Sequence, residues 1–202
     1  MSDINPTTIR GPVDVYTAPV ATAFTGVLSV GSLDAAWKKL GARGWKSQDT
    51  GGVKVTKRQK LEEWRGENLV IQDVARSEED ILIAFTLADV SLENLAIAMN
   101  SNAIVTTAPA TGTKGHKKMM LARGPDVQPV ALLLIFPSVY VKGEKGVMYL
   151  PKVFQNADIE TNWNKTNPAM ANFEFKAVEG PNATDTDPDI GYWDIVSAAA
   201  LP

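Results

Sequence analysis

The sequence predicts a mainly β protein: a sandwich or barrel with a flanking helix and a long extended loop or hairpin. Three observations carry that expectation. The second half of the 202-residue chain is a succession of short strand-like runs, 117–123, 130–136, 146–154, 157–163 and 171–178. Gly124-Pro125, Lys142-Gly143-Glu144 and Asn167-Pro168 punctuate them, the spacing of an antiparallel sandwich or barrel. Helical periodicity is confined to two short runs. Residues 53–59 begin with strand alternation but are too polar to pack on a core alone.

Taken in order, Val13-Asp14-Val15-Tyr16 alternates and reads as a first strand, followed by a small-residue connection over 17–32. Ser32 is placed to cap a short helix over 33–40 that stops at Gly41. Gly51-Gly52 marks a turn into the polar strand, which is expected to pair with another chain or stay mobile. Residues 69–75 and 81–87 read as a hairpin whose loop is Arg76-Ser77-Glu78-Glu79-Asp80. Ser91 then caps a second helix with Leu92, Leu95, Ala96 and Met99 on one face, ended by Asn100 and Asn102. Residues 103–116 are an exposed loop or plain strand, and 192–196 a last strand. No repeat of 20–50 residues recurs, which argues against a solenoid.

The chain contains no cysteine, which excludes disulfides and thiol chemistry. Residues 1–10 are polar and lack the pattern of a cleaved signal, and the longest apolar run is 130–136. That is far short of the roughly 20 residues needed to span a bilayer as a helix. A soluble protein with no membrane partner is expected. The net charge of −3 hides an asymmetry: residues 38–65 carry nine Lys or Arg against three acids. No Lys or Arg follows Lys176, while Asp185, Asp187, Asp189 and Asp194 do. Such a chain can bind an acidic partner or copies of itself.

The chemical motifs are incomplete. Residues 41–47 lack the Gly before Lys-Ser/Thr that a phosphate-binding loop requires, because Trp45 stands there. Asp185, Asp187 and Asp189 have calcium-loop spacing, but Ile190 follows the third acid and Val196 holds the place of the closing glutamate. A solvated acidic turn is the simpler reading. His116 is the single histidine, beside Lys117 and Lys118, so neither a Ser–His–acid relay nor a His-based zinc site has its full set. Glu78, Glu79, Asp80, Glu62 and Glu63 read as screened surface carboxylates rather than an acid–base pair. The basic segment with Trp37, Trp45 and Trp64 can serve nucleic-acid contact or self-association. No coherent set of acid, base, nucleophile or metal ligands emerges. The expectation is a non-enzyme without cofactor or metal.

One ordered series of residues goes further. Trp37-Lys38-Lys39-Leu40-Gly41, Thr50-Gly51-Gly52-Val53-Lys54-Val55 and Glu62-Glu63-Trp64 are followed by the runs 69–75 and 81–87 and by Leu92-Glu93-Asn94-Leu95. Gly146-Val147-Met148-Tyr149-Leu150-Pro151-Lys152-Val153 and the strand 171–178 complete it. In order and spacing this series resembles the major tail proteins, or tail-tube proteins, of long-tailed, siphovirus-like bacteriophages. Ala42-Arg43-Gly44-Trp45 and the doubled glycine depart from the family pattern.

The resemblance implies one tail-tube domain over 1–202, with an N-terminal arm over about 1–12, an inter-ring loop over about 42–67 and an acidic C-terminal segment over about 180–202. It implies hexameric rings stacked into a tube, built in the host cytoplasm and carried in the virion. DNA would pass down the lumen without specific binding. The tape-measure, tail-terminator and distal tail proteins would be partners. Inter-subunit contact is expected of Trp45, Lys54, Lys57, Arg58, Trp64 and Arg65. An acidic partner face or lumen is expected of Glu78, Glu79, Asp80, Asp185, Asp187 and Asp189. Trp64 is the leading candidate for an interface anchor, with core packing as its competing role. A tube of a contractile injection or secretion apparatus, and a β-sandwich module binding nucleic acid or sugar, are the alternatives.

Overall fold

The structure, a computed structural model, describes residues 11–24, 33–41, 52–65, 71–100, 103–121, 125–141, 143–161, 169–184, 187 and 189–197. Its elements in chain order are β1 (Asp14–Pro19), β2 (Lys38–Lys39), β3 (Lys54–Arg65), β4 (Ile71–Leu87), α1 (Leu92–Ala98), β5 (Ile104–Thr107), β6 (His116–Met119), β7 (Val130–Pro137), β8 (Lys145–Gln155), β9 (Ala171–Ala177) and β10 (Tyr192–Ile195). The protein is mainly β, as its sequence predicts. An antiparallel sheet runs in the order β2-β1-β7-β8-β9-β4-β3, with β10 added on β8, while β5 and β6 form a separate two-stranded sheet.

The centre of the large sheet follows from the apolar run of β7. Leu132, Leu134 and Phe136 face the larger core, and Ala131, Leu133 and Ile135 face a smaller one. A strand buried on both faces needs apolar residues without alternation. The larger core gathers Val15, Ile83, Met148, Leu150 and Val153 around Phe85 and Phe173, whose rings stack at 5.1 Å. The smaller core holds Trp37 edge-on to Tyr149. Burial on both faces gives the fold its sandwich-like character.

β8 makes the corner. Residues 146–149 pair with β10, whereas 153–155 pair with β9 on the same side. Between them, Pro151 and Lys152 lie opposite the single residue Ala131 of β7. A bulge tolerates a residue with no N–H and bends the strand. The sheet curls through this bend but does not close, so the barrel alternative is set aside.

Three other expectations are corrected. Residues 33–40 do not form a helix. The Asp34 carboxylate accepts the Ala36 N–H at 2.9 Å, the Asp34 carbonyl accepts that of Trp37, and the chain then extends as β2 against β1. An eight-residue helix has little stability of its own, and an Asp that binds nearby backbone competes with it. Extension places Trp37 in the smaller core and Leu40 in the larger.

Residues 76–80 are not a loop. They lie mid-way along the 17-residue β4, which pairs with β3. The polar strand 53–59 therefore finds its partner within its own chain. Residues 66–70, between β3 and β4, lie outside the described residues.

The run 157–163 is not a strand over its described part, 157–161. The ladder ends at Gln155, where Asn100 takes the place of a neighbouring strand. Its amide donates to the Gln155 carbonyl at 3.3 Å and accepts the Gln155 N–H at 3.0 Å.

The capped helix is present as α1. Ser91 accepts the Asn94 N–H, and Asn94, Ala96 and Ala98 are its buried residues. Met99 and Asn100, the latter in the left-handed region at φ 55°, end it. No helix among the described residues is long and apolar enough to cross a membrane.

Candidate interaction site: the projecting arm

Among the described residues, β4 pairs with β9 only over 82–87, and β3 has no partner but β4. Outward from the Lys57–Ile81 pair the two strands leave the sheet as a ribbon of twenty residues, 57–65 and 71–81. At about 3.3 Å per residue this arm projects roughly 30 Å. Almost all of its side chains are exposed.

Charge explains why so polar a pair of strands forms. Arg58 lies opposite Asp80, and Lys60 opposite Glu78 with Nζ 3.4 Å from Oε1. Glu79 is held by both Lys57 and Arg76. The Lys57 hydrogen bond, with help from Arg76, keeps the Glu79 carboxyl below its ordinary value against a weaker opposing effect of burial. At the arm's root, Lys176 of β9 reaches Asp80 at 2.9 Å. Opposite charges directly across a ladder stabilise it modestly, and no apolar core is required.

The two strands hold six cations (Lys54, Lys57, Arg58, Lys60, Arg65, Arg76) and six anions (Glu62, Glu63, Asp73, Glu78, Glu79, Asp80). The β3 part of the basic limb read from the sequence, residues 54–65, is thus neutralised by its partner strand. Lys54, Lys57 and Arg58, expected at a subunit contact, and Glu78, Glu79 and Asp80, expected on an acidic face, are brought together in one element. Arg65 sits near the tip, paired with Glu63 at 2.7 Å.

Trp64 is 63% exposed on β3, so it is not a core residue of this chain. Leu61, Ile71 and Val74 are exposed as well. The register sorts them by face. Leu61 pairs with Arg76, Glu63 with Val74 and Arg65 with Ile71, so Leu61, Val74 and Ile71 share one face. Trp64 lies on the other, beside Asp73 and near Ala75. Residue 72 has no partner between the Trp64–Asp73 and Arg65–Ile71 pairs, and that irregularity turns Ile71 onto the face of Leu61 and Val74. A second bulge lies nearer the root. Ser77 has no partner residue, and its hydroxyl donates to the Lys60 carbonyl at 3.4 Å. The sequence reading missed Leu61, Ile71 and Val74 as contact candidates. Period-2 alternation breaks at Ser77, and no sequence signal marks that bulge.

The remaining predicted residues lie elsewhere. Trp45 and Asp185 fall outside the described residues. Asp187 and Asp189 spend carboxylate oxygens on backbone N–H groups: Oδ1 of Asp187 accepts from Asp189 at 3.0 Å, and Oδ2 of Asp189 accepts from Asn182 at 3.2 Å. Among the described residues, no group of three or more His, Asp or Glu is gathered to hold a metal ion. His116 is exposed at the start of β6, opposite Thr107. The satellite sheet that carries it is tied to α1 by the Lys117–Glu93 ion pair.

No protein-family model matches the chain, and no curated protein matches it.

Proposed function

We propose that the protein is a structural subunit of a phage tail tube, in which copies form hexameric rings and rings stack into the conduit for DNA. The arm is the observation that carries this reading. A two-stranded ribbon is at best marginally stable alone in water. This one extends well beyond the sheet with Leu61, Trp64, Ile71 and Val74 facing solvent. Such a surface is suited to burial against a neighbouring subunit. Contact between an arm and a different patch on the next copy is heterologous, and heterologous contacts propagate along an axis.

The role proposed is mechanical, without catalysis. Its setting would be the virion, after assembly in the host cytoplasm, with tape-measure, terminator and distal tail proteins as partners. Negative-stain electron microscopy of the concentrated protein tests the reading. Hollow tubes or stacked rings are the expected result. A chain that stays monomeric at every concentration would favour a β-sandwich binding module instead, and salt-sensitive DNA binding by that monomer would identify its ligand class.

A further inference from the structure

At the root of the arm, the curled sheet leaves an apolar groove of about 190 Å³. Phe136 and Met148 are buried at its floor, and Val13, Val53, Val55 and Trp193 form its walls. Trp193 packs on Phe136 with ring centroids 5.6 Å apart, yet remains 51% exposed. The seam lies between β3 and β10, the two strands that curling brings toward each other without pairing.

We propose that this groove receives the tip of the arm of a second copy, with the Trp64 indole as the inserted group. The proposal rests on the tube reading above and names the surface that the arm engages. Size is the first argument. An apolar cavity of about 150 Å³ is enough for benzene. A groove of about 190 Å³ therefore offers room on the scale of an indole ring. Met148 supplies a sulfur for aromatic contact, and Trp193 a second ring.

Reach is the second argument. Val55 and Trp64 are on the same strand, nine residues apart, hence roughly 30 Å in an extended ribbon. A paired ribbon does not fold back on its own root, so the indole that fills a groove comes from another molecule. Extent is the third. The free part of the arm has twenty residues, the low end of the 20–30 per side that a stable interface uses. Knob and groove lie at opposite ends of one element, so every copy that donates an arm still has a groove to offer. That contact does not saturate in a dimer.

The absence of cysteine makes the test clean. Asp73 lies opposite Trp64 on the same face of the ribbon and can carry the cysteine while the indole is kept. Asp73→Cys and Val55→Cys chains are mixed under assembly conditions and oxidised, with Asp73→Cys plus Thr113→Cys as the control mixture. A disulfide between Asp73→Cys and Val55→Cys chains, absent from the control, is expected. Trp64→Ala should keep the wild-type melting curve and raise the concentration needed for assembly at least about tenfold, as for an interface hot spot. Trp64→Phe should restore part of the loss. Tubes that form without the Asp73–Val55 crosslink, or that grow normally from Trp64→Ala, would overturn the docking site and leave the tube reading standing. A wild-type chain that never assembles would overturn both.

Discussion

Gly191 shows how a single residue can position a strand. Its φ is +130°, and a Cβ there would stand 2.1 Å from the Tyr149 carbonyl oxygen. β10 approaches β8 this closely only because the side chain is missing. Gly191→Ala should cost about 3 kcal/mol or more and detach β10, seen as a lower unfolding midpoint in urea. Phe173 is a contrasting case. It is buried at the centre of the larger core and stacked on Phe85, so Phe173→Ala should cost about 3–5 kcal/mol through the cavity it leaves. Ser91→Ala removes the acceptor for the Asn94 N–H and should cost about 1 kcal/mol. Glu79 carries a pH dependence. Its folded carboxyl lies below the ordinary value of 4.5 because Lys57 and Arg76 favour the charged form. The stabilisation it contributes is therefore present above about pH 4.5 and lost as pH falls through the lower folded value. The protection of arm amides against exchange, relative to their intrinsic rates at each pH, should fall with acidification, and Glu79→Gln should abolish that dependence.

At the scale of elements, the arm and the core obey different rules. The core strands pair because their faces are apolar, whereas the arm pairs through alternating charge and is open to water on both faces. Lys57→Glu sets an acid against Glu79, and Arg58→Glu sets one against Asp80. A triple Lys54→Glu, Lys57→Glu, Arg58→Glu variant should therefore block assembly by melting the arm rather than by repelling a neighbour. Proteolysis between residues 57 and 81 should become rapid while the melting of the core is little changed. The elements legible in the sequence are those whose own pattern decides them. β1, β7, β8, β9 and β10 stand where alternation or an apolar run places strands, and α1 stands where Ser91 caps a helical stripe. β2 and the middle of β4 were illegible, because Lys38–Lys39 and 76–80 are extended only through the strands beside them.

For the molecule as a whole, self-pairing of charge within the arm changes what should drive assembly. A basic limb docking on an acidic body would be weakened by salt. An arm with five cations against six anions, ending in apolar side chains, would be much less so. At 0.5 M salt the Debye length is about 4 Å, so long-range attraction is screened while apolar burial remains. Sedimentation should find assemblies persisting at that salt concentration. Their dissociation into single subunits would point back to ionic docking. By itself the sequence determined the mainly β class, most strand positions and the capped helix, because local periodicity and residue type carry that information. Only the tertiary structure decided that the basic strand pairs with the acidic one, that Trp64 projects into solvent, and that a groove opens between β3 and β10. Each depends on which distant segments meet and in what register, and one unmatched residue at Ser77 is enough to shift that register.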